Sequence, residues 1–407
     1  MSKEMIGLLG MAILLAVAYA MSSAKKSIRW RTVGVAFGIQ VAIGAIVFGV
    51  PQGRDALRVF SDVVNNSISA GTAGVDFLFG PLAADGKDGI GFVFALRVLP
   101  MIIFFSSLIA VLYHLRIMQV VILVIGGGLR KLLGTSSSET IAAAANIFVG
   151  QTEAPLVVKP YIAKMTSSEL FAVMVGGLAS VAGSVLAGYA AMGVEMKYLL
   201  AASFMSAPGS LLFAKLMMPE TEQPIETPLE FAEGDDKPAN VLDAAAQGAA
   251  TGLSLALNVG AMLLAFIGLI ALVNLMLGGV GGWFGYAGLS MQQIFGWVFA
   301  PVAWMVGVPW VDAARGGTLI GQKLVLNEFV AYVQFHEWQD ALTPRAQAVC
   351  AVALCGFANF SSIAILLGGL GGMAPERRSE IAKLGLKAVV AGTFSNLMSA
   401  AIVGLFM

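Results

Sequence analysis

Charge is what this 407-residue chain has least of. Only 12% of its residues are Asp, Glu, Lys or Arg, against 58% hydrophobic residues. A soluble globular protein carries about 25% charged residues, so a surface wholly in water is excluded and much of it must face lipid. Net formal charge is zero, and the basic residues lie in short clusters. A nucleic-acid partner is thereby excluded. Histidine is nearly absent, with only His114 and His336, and there are two cysteines, Cys350 and Cys355, in one apolar stretch. That supply is too small for a zinc site, and the two thiols read as packing residues rather than a disulfide. A secretory signal is also missing. Only Lys3 precedes the first apolar run, while Lys25, Lys26, Arg29 and Arg31 follow it. That charge order is the reverse of a cleaved leader, so a retained membrane helix is expected.

What the chain has is apolar length. Segments of about 20 residues, enough to span a bilayer, lie near 5–22, 33–50, 90–113, 168–190, 197–218, 253–278, 345–370 and 384–406. Lys and Arg near span ends stay in the cytoplasm. The cluster at 25–31, Arg116 with Arg130 and Lys131, and the group Arg377, Arg378, Lys383 and Lys387 all fall on one side if there are eight crossings. A multi-pass inner-membrane protein with both termini outside the cytoplasm follows. The Glu220–Asp243 stretch, rich in carboxylates and containing Pro219, Pro224, Pro228 and Pro238 at or near it, reads as a solvated cytoplasmic linker.

Two segments depart from the spanning pattern. Residues 137–162 and 312–337 have apolar ends and polar, Gly- or Pro-marked middles. Non-helical backbone at membrane depth is tolerated only where it is buried in protein or lines a watery cavity, so both are expected as re-entrant hairpins. They belong to a longer repeat. Glu153 precedes Ser180 by 27 residues, and Glu328 precedes Asn359 by 31. The topology makes the two halves enter from opposite sides, the pattern of an inverted-repeat transporter whose site lies near the midplane.

The expected fold is therefore an all-α polytopic membrane protein, with eight transmembrane helices and two re-entrant hairpins in an inverted repeat. Its parts would be peripheral helices and an extracytoplasmic loop over 1–89, then a scaffold helix and interfacial helix over 90–136. The first repeat would cover 137–218, and an acidic linker with an interfacial segment 219–252. A second scaffold helix and an external interfacial helix would take 253–311, and the second repeat 312–407.

Glu153 and Glu328 are the sharpest signals, because an ionisable side chain at membrane depth costs about 2.5–3.5 kcal/mol on insertion scales and marks an interior cavity. Each could also cap its hairpin or pair with a buried cation, and Lys323 is close to Glu328 in sequence. Around them stand Gln151, Thr152, Asn327, Asn359, Ser361 and Ser362. Carboxylates, amides and hydroxyls suit a neutral, hydroxyl-rich substrate, since carboxylates accept strongly from sugar hydroxyls and an amide matches a base edge. Phe357 could pack on a sugar or base face, and reads as readily as core. Asn146 and Ser180 offer side-chain oxygens for a small cation, with carbonyls of Val149, Ser180 and Val181 nearby. From spacing alone, Ser180 among Gly176, Gly177 and Gly183 reads better as a small packing residue.

Three segments carry a resemblance: Gly150-Gln151-Thr152-Glu153-Ala154-Pro155-Leu156, the stretch Gly321–Phe329 with Asn327-Glu328 in it, and Phe357-Ala358-Asn359-Phe360-Ser361-Ser362. From about residue 90 onward the chain resembles the concentrative nucleoside transporters, of the bacterial sodium-coupled type. The resemblance implies a homotrimer in the lipid bilayer that imports nucleosides, uridine-like ones among them, with sodium, by an elevator motion. It also implies roles. Gln151 and Thr152 would bind the base with Glu153 acting through water, Glu328, Asn359 and Ser362 would bind the ribose with Phe357 beside it, and Asn146, Val149, Ser180 and Val181 would hold sodium. Some relatives are proton-coupled, so a site glutamate carrying a proton is the alternative. An intramembrane protease would need adjacent carboxyls sharing a proton, and a channel would need weaker sites than this many convergent polar groups make.

Overall fold

Two four-residue motifs of one form, Ser136-Ser137-Ser138-Glu139 and Thr166-Ser167-Ser168-Glu169, each start a helix in the computed structural model. In both, the hydroxyl accepts from the glutamate N–H while the glutamate accepts from the hydroxyl residue's own N–H. Such reciprocal caps satisfy two of the four free N–H groups at a helix start. The structure describes residues 3–83, 92–224, 238–286 and 288–407, and among these every regular element is a helix.

The chain begins with α1 (Lys3–Ala20), α2 (Trp30–Gly44) and α3 (Pro51–Phe79). Residues 51–79, expected as loop, form instead this 29-residue helix. Pro51 sits at its start, where a missing N–H costs nothing. Its apolar residues form a one-sided stripe, so polar composition suggested a loop where an amphipathic helix lies. Of the expected 1–89 unit, residues 84–89 lie outside the described residues. Next come α4 (Phe94–His114) and α5 (Ile117–Leu133).

The segment expected as the first hairpin runs through α6 (Ser137–Ala145), turns irregularly at 146–153, and continues through a 3-10 segment (Ala154–Val158) into α7 (Lys159–Ile162). Then follow α8 (Ser167–Ala179), α9 (Gly183–Ala191) and α10 (Met196–Met217). The linker expected over 219–252 lies, for residues 225–237, outside the described residues.

The boundary expected between residues 252 and 253 is absent, because α11 (Val241–Trp283) is a single 43-residue helix. Its first part packs closely against α4 at two glycines. A Cβ added at Gly248 would lie 2.5 Å from Ala110 Cβ, and one at Gly252 would lie 2.8 Å from Ile103 Cα. Small residues at this spacing let helix backbones approach closely in a membrane. The interfacial segment foreseen before residue 253 is thus the same rod as the membrane helix.

The second half contains α12 (Met291–Met305), α13 (Trp310–Val325), α14 (Glu328–Trp338), α15 (Pro344–Leu354), α16 (Ser361–Met373) and α17 (Arg378–Phe406). Helices α12 and α13 fold back on each other with a bend of 115°. Among the described residues, six stretches can cross a membrane by length and composition: Trp30–Gly49, Phe94–His114, Ser167–Ala191, Met196–Met217, Val241–Trp283 and Pro375–Phe406. Glu4–Ala20 and Ser361–Met373 are shorter apolar helices. The chain is a multi-pass membrane protein.

Helix α17 orders the two halves. At its start Glu380 accepts at 2.6 Å from Oγ of Ser167, the first residue of α8. Near its end Gly404 packs on Gly307 and on Val349 of α15. Helices α8 and α15 therefore enter from opposite ends of α17 and run towards each other. Each is tied to its hairpin by a buried carboxylate. Glu169 accepts from Ser138 Oγ at 3.0 Å, and Asp312 at the start of α13 accepts from Thr343 Oγ1 at 2.7 Å. Buried Lys215 of α10 pairs with Glu139 and donates to Ser168 Oγ at 2.8 Å, joining α6, α8 and α10.

Candidate functional site

Helices α8 and α15 both stop in mid-structure, and their last carbonyls need donors. One side chain supplies both. Asn396 of α17 donates through Nδ2 to Ala179 O at 2.7 Å and to Cys355 O at 3.0 Å. One turn earlier on the same face, a Cβ at Gly392 would meet Leu178 Cβ at 3.0 Å and Ala358 Cβ at 3.2 Å. The interrupted segments also pair directly, with Phe357 N donating to Ser180 O at 3.1 Å. The hairpin tips reach the same place. Gly183 N donates to Phe148 O at 2.9 Å, and Phe360 N donates to Leu324 O at 3.2 Å.

At this crossing lies a polar cluster. Glu328 is the first residue of α14, capped by Asn327, whose Oδ1 accepts from Val330 N at 3.0 Å. A helix start favours a carboxylate. Asn359 Nδ2 donates to Glu328 Oε2 at 2.9 Å, and Tyr189 OH donates to Oε1 at 3.3 Å. Asn359 Oδ1 in turn accepts from Ser361 Oγ at 2.7 Å and from Ser362 N at 2.9 Å. Gln151 reaches across from the first hairpin to donate to Ser362 Oγ at 3.3 Å. Glu328, Asn359, Ser362 and Gln151 thus form one connected, buried network.

The other expected residues border it. Glu153 is half-buried and accepts from Gly150 N at 3.1 Å, so it folds back on its own tip instead of joining Glu328. Thr152 packs on α16, where a Cβ at Gly369 would lie 2.9 Å from its Cγ2. Phe357 is half-buried beside the first tip, its ring edge 4.0 Å from where a Gly150 Cβ would stand. Glycines permit this closeness, since a Cβ at Gly177 would come to 2.8 Å of Gln151 Cβ.

A second, neutral cluster adjoins the break in the first repeat. Asn146 is buried, lies on Gly176, and donates to Ala142 O at 2.9 Å, while its Oδ1 has no partner among the described residues. Ser180 Oγ donates to Gly176 O at 3.0 Å and keeps its lone pairs. Val149 and Val181 are buried in the irregular backbone on either side. Buried acceptors left open are rare, and here they are neutral oxygens of the kind sodium takes. Gln151 Oε1, Gln322 Oε1 and Asn327 Nδ2 are likewise buried without partners among the described residues. A ligand with both donors and acceptors would satisfy this set.

Two residues escaped sequence reading, and a third, Lys323, was noted without its partner. Asn396 was an unremarked amide in the last apolar segment, and Tyr189 an aromatic in another. Lys323, close to Glu328 in sequence, donates instead to Asn396 Oδ1 at 2.8 Å. An uncompensated polar group at membrane depth was the only signal for any of them.

The geometry is that of a buried polar network where two interrupted helices meet, and comparison with known proteins gives the chain a family. Residues 9–82 match the family model described as Na+ dependent nucleoside transporter N-terminus, 95–196 that described as nucleoside recognition, and 198–404 that described as Na+ dependent nucleoside transporter C-terminus. The chain belongs to the Na+ dependent nucleoside transporter family. Members of this family are transporters, and so is this chain, which is not an enzyme. It is 52% identical over 413 residues to the nucleoside permease NupC of Helicobacter pylori, covering 100% of this chain and 98% of that protein. Among solved structures, it resembles that of CNTnw in an inward-facing substrate-bound state, with TM-score 0.94 and 59% identity over 99% of this chain and 97% of the other. A variant of CNTnw in an outward-facing state matches with TM-score 0.96, 59% identity and coverage of 99% and 98%.

Proposed function

We propose that this transporter is a secondary active symporter, importing uridine-like nucleosides across the inner membrane with sodium as the coupling ion. The observation that carries the substrate is the network Gln151–Ser362–Asn359–Glu328, which joins both expected hairpin segments to the break between α15 and α16. Glu328 with Asn359 and Ser362 would hold the ribose hydroxyls, with Phe357 against the sugar. Gln151 and Thr152 would meet the base, and Glu153 would act through water. The observation that carries the ion is the open Asn146 Oδ1 beside the break at Ser180. Asn146, Val149, Ser180 and Val181 would then ligate sodium through neutral oxygens.

In this proposal eight crossings and two re-entrant hairpins make up each subunit, three subunits form the assembly, and both termini lie outside. The hairpins and interrupted helices, cross-tied by Asn396, move as one body past a scaffold containing α4 and α11. The likeness to both inward-facing and outward-facing structures supports such a motion. One charge crossing ~100 mV contributes about 2.3 kcal/mol, and a tenfold sodium gradient about 1.4 kcal/mol. Together they sustain accumulation of roughly 500-fold with one sodium per nucleoside.

The test is radiolabelled uridine uptake into proteoliposomes, with Glu328→Gln as the blank. Accumulation above equilibrium under an inward sodium gradient is expected. Accumulation driven by a pH gradient alone would refute sodium coupling, and no uptake under either gradient would refute the substrate.

A further inference from the structure

The helix C-termini that meet at Asn396 pose an electrostatic problem. Each carries about −0.5 elementary charge, so α8 and α15 together present about one negative charge to a buried spot. The counter-charge is covalent. Lys323 of α13 is 2% exposed, and its Nζ donates to Asn396 Oδ1 at 2.8 Å. Through that amide it is joined to Ala179 O and Cys355 O, the two terminal carbonyls. Among the described residues, no carboxylate lies within ion-pair distance of its ammonium. A buried lysine with one neutral acceptor is costly, and its position offsets that cost through the two helix ends and, at longer range, the carboxylate of Glu328.

Ala179 is also the residue before Ser180, where the proposed sodium site begins. We infer that Lys323 is a fixed cation that shares the converging ends of α8 and α15 with the transported sodium, and weakens sodium binding so that the ion can leave. The inference rests on the sodium site proposed above. Asn396 keeps the two positive charges apart, offering its oxygen to the ammonium and its N–H groups to the carbonyls. The second half of the repeat thus holds by a side chain the charge that the first half takes from solution.

The sign of this effect separates it from a structural role. Removing a nearby like charge strengthens cation binding, whereas loosening the crossing weakens it. Lys323→Gln removes the charge and keeps a donor for Asn396. Lys323→Met removes both at similar volume. Thermal melting of the detergent-purified full-length protein would be followed as sodium replaces choline at constant ionic strength. For Lys323→Gln, the sodium concentration giving half-maximal stabilisation is expected to fall roughly thirtyfold, as for unit charges about 8 Å apart in an effective dielectric of about 20. Lys323→Met should shift it the same way. An unchanged or raised midpoint would overturn the inference. Failure of both variants to fold would also overturn it, because a tuning charge must be dispensable for folding. No response of the unmodified protein to sodium would overturn the sodium site itself, and the inference with it.

Discussion

Glu328 receives one donor on each oxygen, Asn359 Nδ2 and Tyr189 OH, and the remaining lone pairs are free to accept. A charge-assisted hydrogen bond is worth about 1.5–3 kcal/mol. Glu328→Gln should therefore raise the half-saturating uridine concentration by about tenfold or more, measured as sodium-driven uptake; near-normal uptake would remove Glu328 from the sugar site. Asn146 has an acceptor without a partner. Asn146→Ala should raise the sodium concentration for half-maximal uptake while leaving the saturating rate less affected, and an unchanged sodium dependence would exclude it as a ligand. Gln151, proposed at the base, also donates to Ser362, proposed at the ribose. With both contacts in play, Gln151→Ala should change the ranking of nucleosides in competition with uridine. A uniform loss for all of them would argue against a base contact.

At the scale of elements, the interrupted helices depend on α17. Gly356 faces Asn396 so closely that an added Cβ would come to 2.7 Å of the carboxamide carbon. Gly356→Ala must displace either the amide or the break, at a cost of about 1–3 kcal/mol. A lowered melting temperature with loss of nucleoside binding is expected, and a full-strength binding isotherm would show that the break tolerates movement. Sequence reading picked out the segment containing Asn327 and Glu328 because their polarity interrupts an apolar run, and α13 gives way to α14 there. It did not find α3, since a 29-residue stripe of mixed polarity in a surface helix looks like loop by composition. Nor did it find the continuity of α11 across residue 252, because hydropathy locates apolar segments and says nothing about where a helix continues into water.

Across the whole molecule, α9 lies along α4, and a Cβ at Gly188 would sit 3.1 Å from Val98 Cγ1. If the hairpin bundle slides past α4 during transport, this contact must break. A disulfide between Gly188→Cys and Val98→Cys, in a background lacking Cys350 and Cys355, should stop uptake reversibly while detergent-solubilised protein still binds nucleoside. Uptake that survives oxidation would exclude sliding at this surface.

By itself, the sequence determined the membrane class, the helical fold and the presence of Glu153, Glu328, Asn359 and Ser362 where the apolar pattern is interrupted. Those features are local: charge scarcity, apolar length and polar interruption are written in consecutive residues. Tertiary structure alone decided which interruptions meet. Asn396 is 217 residues from Ala179 and 41 from Cys355, and Tyr189 is 139 from Glu328. No periodicity links such positions. They come together because two half-helices entering from opposite sides leave carbonyls that a single amide, and the lysine behind it, must satisfy away from water.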